Sequence, residues 1–156
     1  MHNIKNIENY TKPLSEIMFE LEKACRLKET VFCNICNITP MEFRCIMQLS
    51  NHCFFSVKEL SKKMNLSAPR TTHLLNKIEK KGLLERKMDK KDRRVMKVSL
   101  NSKGMTFAKQ AYERYMSFHG ELLNFMDSAE IAPTILSLQK FHKTLTHFLE
   151  NKNSGG

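Results

Sequence analysis

Two residue types in this sequence are chemically informative because of where they cluster. The first is cysteine: all five, Cys25, Cys33, Cys36, Cys45 and Cys53, fall between positions 25 and 53. Cys33 and Cys36 stand as C-x-x-C in the stretch VFCNIC. Thiolates at that spacing can grip a soft metal or close a disulfide. The second type is the basic side chain: residues 86–94, RKMDKKDRR, hold six Lys or Arg around two Asp. That density of like charge suits a polyanionic partner.

The cysteines admit three readings. In the first they are small hydrophobes. Cys25 continues the apolar stripe of an N-terminal helix and Cys45 stands four residues before Leu49. This fits Cys33 and Cys36 less well, because Val31–Asn37 breaks the helical period and reads as a connection. In the second, Cys33 and Cys36 are half of a site for zinc or an iron–sulfur cluster, completed by other cysteines or by a second chain. The remaining spacings match no zinc or ferredoxin pattern. In the third, one thiol is oxidised and the other resolves it to a disulfide, with Arg26 and Lys28 nearby to lower a thiol pKa.

The bulk properties narrow the setting. A chain of 156 residues, 41% hydrophobic and 27% charged, has room for a core. No apolar run reaches the roughly 18 residues of a membrane span. The opening MHNIKNIENY lacks the apolar centre of a signal peptide, so the reading is a soluble cytoplasmic protein with no membrane partner. A reducing cytoplasm argues against a structural disulfide framework. The net charge of +10 and sequence pI near 9.5 call for an anionic partner.

The pattern of apolar residues predicts the elements. Leu14, Ile17, Met18, Leu21, Ala24 and Cys25 mark a helix over 13–29, with Pro13 in its first turn. Thr39, followed by Pro40 and Glu42, caps a second helix that runs to about Asn51. Ser56 caps the short helix VKELSKKM, and Asn65 turns the chain. Ser67 caps APRTTHLLNKIEKK, which stops at Gly82. LLERK and VMKVSL read as two strands joined by MDKKDRR. From Ser102 a long helix follows Phe107, Ala111, Tyr115, Phe118, Leu122 and Phe125. Asp127 and Ser128 interrupt it, and a last helix carries Ile135, Leu138, Phe141, Leu145 and Phe148.

Two short helices followed by a charged hairpin make a winged helix-turn-helix, mostly α with a small β wing. At about 100° per residue, Thr71, Leu74, Leu75 and Ile78 face inward on the second helix. Pro69, Thr72, His73, Asn76 and Lys80 face outward, flanked by Arg70 and Lys77. Arg and Asn can make two-point contacts with base edges, while Lys and Ser hold phosphates. The helix start at Ser67 offers backbone N–H groups to a phosphate. In the wing, Lys90, Lys91, Arg93 and Arg94 suit the minor groove, and Asp92 can pin one guanidinium and aim the other.

The run LSAPRTTHLLNKIEKKGLLERKMDKKDRRVMKVSLNSKG resembles the signature of the MarR family, bacterial winged-helix transcriptional regulators. Ile78, Glu79, Lys80, Gly82, Leu83, Arg86, Asp89, Asp92, Arg93, Arg94 and Gly104 occupy the pattern's places. The resemblance implies a homodimer built from the first and last helices, a pseudo-palindromic DNA operator, and tuning by a small molecule, oxidant or metal. It also implies that a zinc site of the kind some members carry after the wing is missing: GMTFAKQAYERY has no His before His119. The terminal helices support the dimer on their own, with more apolar stripe than a small monomer covers.

The resulting division is residues 1–38 as a dimerisation helix and connecting loop, 39–100 as the DNA-binding lobe, 101–150 as C-terminal dimerisation helices, and 151–156 as a disordered tail. The function expected is a sequence-specific DNA-binding regulator, a repressor, responding to a signal at the Cys-rich segment. The alternatives are a small-molecule-responsive regulator with structural cysteines and a winged-helix protein-interaction module. An enzyme is disfavoured, since no Ser/His/Asp order, phosphate loop or HExxH appears.

Overall fold

The computed structural model describes residues 4–52, 54–89 and 95–153. Cys53, Lys90, Lys91, Asp92, Arg93 and Arg94 lie outside the described residues. The order is α1 (Ile4–Ile35), α2 (Pro40–Ser50), β1 (Phe55–Ser56), α3 (Val57–Met64), α4 (Ala68–Lys80), β2 (Leu84–Met88), β3 (Met96–Leu100), α5 (Ser102–Leu123) and α6 (Ser128–Asn153). Two units divide between Arg114 and Tyr115.

The first unit contains the helix-turn-helix and its sheet. Ile46, Leu49, Leu60, Leu75, Ile78 and Val98 are at most 1% exposed and form the centre of its core. They come from α2, α3, α4 and β3, so one apolar cluster holds both helices and the wing. Local chemistry starts the helices where the sequence predicts. Thr39 and Ser56 each form a capping box, with Glu42 and Glu59 respectively. Asn65 ends α3 in the left-handed region at φ 52°, and Gly82 follows α4 at φ 72°.

The strands form an antiparallel sheet in the order β1-β3-β2, with β2 and β3 paired from Leu84↔Leu100 to Met88↔Met96. β1 has no counterpart in the sequence pattern. It has two residues, too few to show alternation, and exists only because Phe55 and Ser56 pair with Val98 and Lys97.

Helix α1 departs most from expectation. It begins nine residues before Pro13, which therefore lies inside the helix rather than in its first turn. Ile7, Leu14, Met18 and Leu21 continue one stripe across the proline, so the apolar period outweighs a missing N–H. The helix also runs on through Val31–Ile35. Phe32 and Cys33 are each 1% exposed, and the Phe32 ring meets Phe43 of α2 edge-on at 5.1 Å. That packing carries the helix to Ile35. Cys33 is thus in the last turn of α1 rather than in a connection. Cys36 lies in the turn beyond it, which closes with Ile38 N–H donating to Cys33 O at 3.0 Å.

Helix α5 is seated by Asn101. Its side chain accepts from Gly104 N–H at 2.9 Å and donates to Gly82 O at 3.0 Å. Gly104 is buried, and a Cβ added there would lie 2.0 Å from Leu83 O. Only glycine lets α5 rest on the backbone between α4 and β2.

In the second unit, Asp127 Oδ1 accepts from Ala129 N–H at 3.0 Å at the start of α6. The helix takes in Asn151, Lys152 and Asn153, which the sequence pattern assigns to the tail. None of its described residues is buried, and Leu136, Leu138, Phe141, Phe148 and Leu149 are exposed. On α1, Leu14, Ile17 and Leu21 are exposed in the same way.

Gly104→Ala is expected to cost about 3 kcal/mol or more, because the clash is with backbone that cannot rotate away. Gly120 meets nothing within 4 Å. Gly120→Ala should therefore be neutral or stabilising by up to about 1 kcal/mol, from helix propensity. Urea unfolding of both variants measures the contrast, and equal effects would contradict the close approach at Leu83.

Candidate nucleic-acid interface

The angle between α3 and α4 is held by a buried polar contact. Ser61 Oγ and Thr71 Oγ1 lie 2.9 Å apart, with Ser61 8% and Thr71 0% exposed. Thr71 also donates to Ser67 O at 3.1 Å. The inward position predicted for Thr71 is therefore correct, and its hydroxyl is satisfied there. Leu74, Leu75 and Ile78 lie on the same buried side.

This leaves the opposite face of α4 in solvent. Pro69, Arg70, Thr72, His73, Asn76, Lys77 and Lys80 are all exposed, as the helical wheel predicts. Ser67 occupies the N-cap position without its hydroxyl bonding a helix N–H. The hydroxyl and the first N–H groups of α4 thus lie at the same end of the helix, where an oxyanion is favoured.

Asn76 does not stand free. Its Oδ1 accepts from the Arg86 guanidinium, which also pairs with Glu79 at 3.0 Å. Arginine can only donate, so the amide oxygen is the atom engaged. A two-point contact with adenine needs that oxygen as acceptor. One of that oxygen's two acceptor positions is taken by Arg86, and the contact ties α4 to β2. Arg86 Nε is buried with no partner, the cost of placing the guanidinium there. At the root of the wing, Asp89 pairs with Lys97, whose ammonium sits 3.9 Å from the Phe54 ring centroid.

Two basic residues of α3 belong with this surface, although the sequence pattern does not mark them. Lys58 and Lys62 join Asn65, Ser67 and Ala68 around an open groove of about 700 Å3 where α3 meets α4. Their signal is the polar face of VKELSKKM, which looks like any solvated face until α4 is packed beside it. A second groove, of about 480 Å3, is lined by Met41, Leu66, Arg70, His73, Leu74 and Lys77.

Behind α4 lies a buried charge. Glu42 is 2% exposed and accepts from Thr39 N–H at 2.8 Å and from Lys81 Nζ at 3.0 Å. Burial acts to raise its pKa, but the Thr39 hydrogen bonds and the Lys81 ammonium outweigh it and leave the carboxyl below the usual glutamate value. Its stabilising contribution is therefore present above the unfolded-state pKa and lost as pH falls through the lower folded value.

The described cysteines divide by exposure. Cys25 is exposed and Cys36 half-buried, while Cys33 and Cys45 are buried in the core. Burial, reinforced by the charge of Glu29, pushes the Cys33 thiol up to about 11; burial alone pushes Cys45 to about 12. Both stay protonated at neutral pH. Among the described residues no three His, Cys, Asp or Glu side chains are grouped so as to hold a metal ion.

A helix-turn-helix whose second helix presents a basic and amide-bearing face, followed by a β hairpin, defines a winged-helix protein. The MarR family model matches residues 38–96, from the end of the α1–α2 turn to the start of β3. Over those residues the chain is similar to the MarR family. It is 28% identical over 149 residues to YsmB of Bacillus subtilis, an uncharacterized HTH-type transcriptional regulator, covering 91% of this chain and 99% of YsmB. Its fold is similar to apo MarR from E. coli, with a TM-score of 0.73 at 21% identity, over 83% of this chain and 96% of that one. It is also similar to the S. aureus MepR F27L mutant bound to an oligodeoxyribonucleotide, with a TM-score of 0.64 at 18% identity, over 85% and 97% of the two chains.

Native-state alkylation at pH 8 should label Cys25 and spare Cys33 and Cys45, whose burial keeps them protonated and out of the reagent's reach until the protein unfolds. Peptide mass mapping reads the sites. Labelling of Cys33 as fast as Cys25 would remove it from the core.

Proposed function

We propose that this protein is a transcriptional regulator of the MarR family and works as a homodimeric DNA-binding repressor, with α4 in the major groove and the wing against the minor groove. The observation that carries this reading is the two-sided character of α4: one face is locked into the core through Thr71, Leu75 and Ile78, and the other exposes Arg70, Thr72, His73 and Lys77. A net charge of +10 supports it, as does the DNA-bound MepR mutant of the same fold. The exposed apolar stripes on α1 and α6 support the dimer, since such area in water favours a second copy. Two copies read a pseudo-palindromic site with half-sites a helical turn apart. Repression is the direct output, because a dimer seated on its operator excludes other proteins from that DNA.

The signal reading places the sensor at the Cys-rich segment. Cys36, half-buried in the turn after α1, is the thiol open to an oxidant, and Cys33 one turn back is its resolving partner. A peroxide would convert Cys36 to a sulfenic acid, and the Cys33 thiol would displace water from it to form the disulfide. The raised pKa of Cys33 makes that second step slow. Zinc or an iron–sulfur cluster would use the same thiolates. A second reading rests on the groove between α2 and α4. It is lined by Met41 and Leu66 beside Arg70, His73 and Lys77, and a small anionic effector there would compete with DNA.

Titration of a duplex by fluorescence anisotropy across a salt series tests the DNA reading. Affinity should fall steeply with salt, and Arg93→Ala with Arg94→Ala should flatten the slope by about one for each phosphate no longer neutralised. Arg70→Ala should cost about 1–3 kcal/mol on a selected operator and much less on scrambled duplex. Salt-independent or absent binding would leave a protein-interaction module.

For the signal, Cys33→Ser and Cys36→Ser should each abolish any response of DNA affinity to peroxide or to chelator; Cys36→Ser should melt close to the parent, and Cys33→Ser, which buries a hydroxyl, should melt lower but still cooperatively. If both variants respond as the parent does, the cysteines are packing residues and the groove between α2 and α4 becomes the place to look.

A further inference from the structure

Lys81 lies just past α4, at its C-cap, and makes two contacts far away in sequence. Its Nζ donates to Glu42 Oε2 at 3.0 Å and to the Asn37 carbonyl at 2.9 Å. Glu42 is in the first turn of α2 and is itself pinned by Thr39 N–H. Asn37 sits in the left-handed turn that ends α1, with φ 53°. One ammonium therefore closes a three-way junction between the end of α1, the start of α2 and the end of α4. α1 is further joined to α2 by the Glu29–Arg44 ion pair and by the Phe32–Phe43 ring contact.

We infer that Lys81 is a positioning residue for DNA recognition: by gripping Asn37 and Glu42 together it makes the end of α4 follow the end of α1. This rests on the DNA-binding reading above and adds the part through which the α1–α2 turn acts on the recognition helix. The chemistry favours it. Glu42 is 2% exposed and so has few substitutes for its hydrogen bonds if Lys81 moves away. A buried charge that must keep its partner resists sliding of α4 along α2, whereas apolar contacts alone would tolerate it. The turn held by Lys81 is also the one that contains Cys36 and follows Cys33, so a change there has a direct polar route to the end of α4.

Glu42→Gln separates this role from a direct hold on DNA. Glutamine keeps an acceptor for Thr39 N–H, removes no basic charge, and stands at a buried position that cannot touch a duplex. Lys81→Met keeps the aliphatic stem at a position tolerant of exposure, and Lys81→Arg keeps the grip. The parent protein first selects a tight duplex from a random-sequence library, and each full-length variant is then titrated on that duplex and on a scrambled one at matched salt. Glu42→Gln and Lys81→Met should lower the ratio of selected to scrambled affinity by about tenfold, within the usual range for coupling between sites. Lys81→Arg should preserve the ratio. An unchanged ratio in both Glu42→Gln and Lys81→Met, with either protein folded by circular dichroism, overturns the proposal. So does an equal fall in both affinities, which would mark the junction as merely structural. Failure of the parent to enrich any duplex is a different result and overturns the DNA-binding reading itself.

Discussion

A carboxylate taken out of water has to be met by donors at fixed places, and the Glu42 carboxylate ties three parts of the chain together in meeting them. Thr39 N–H comes from the cap of its own helix, Lys81 from the end of α4, and Lys81 in turn holds the Asn37 carbonyl at the end of α1. Such a group adds little net stability compared with a well-packed apolar one, but it narrows the arrangements that its neighbours can adopt. The apolar core around Ile46, Leu75 and Val98 supplies the driving force for α2, α4 and β3 to associate. The charged junction decides where along α2 the end of α4 comes to rest.

The recognition helix is fixed at its other end by different chemistry. Ser61 and Thr71 share a buried hydrogen bond across the turn between α3 and α4. On the wing side, Arg86 takes Asn76 and Glu79 at once. A helix held at its start, along its length and at its end presents its outer side chains at a constant angle, which reading a groove requires. Asn76 shows what this costs. A residue whose position on the wheel suits base contact gives one of its acceptor positions to holding the wing, because an arginine emerging from β2 has the amide oxygen within reach.

The cysteines illustrate a tension between packing and reactivity. A thiol that fills a core is a small hydrophobe, and the burial that makes it a good one also disfavours its thiolate. Cys33 and Cys45 lie on that side, with pKa values pushed up to about 11 and 12. Cys36 lies across the boundary, in a turn where the chain has left the helix. A motif that looks symmetrical as text is thus divided by the fold into one packed and one accessible thiol.

Much of this was legible in the sequence because its causes are local. Thr39, Ser56, Asn65 and Gly82 mark helix ends through their own side chains and backbone freedom, so they read the same in any context. The inward and outward faces of α4 follow from the spacing of Thr71, Leu74, Leu75 and Ile78 alone. What depends on partners distant in the chain was not legible. β1 exists only as the neighbour of β3, and α1 extends past Val31 because Phe32 finds Phe43. Lys58 and Lys62 become part of a shared surface only when α4 packs beside α3. Asn76 is taken by an arginine ten residues on, and Lys81 reaches across 44 residues to Asn37. A periodic pattern records which side of a helix is apolar, whereas the partner of a polar side chain is set by where the backbone brings the two together, and that was decided by the tertiary structure.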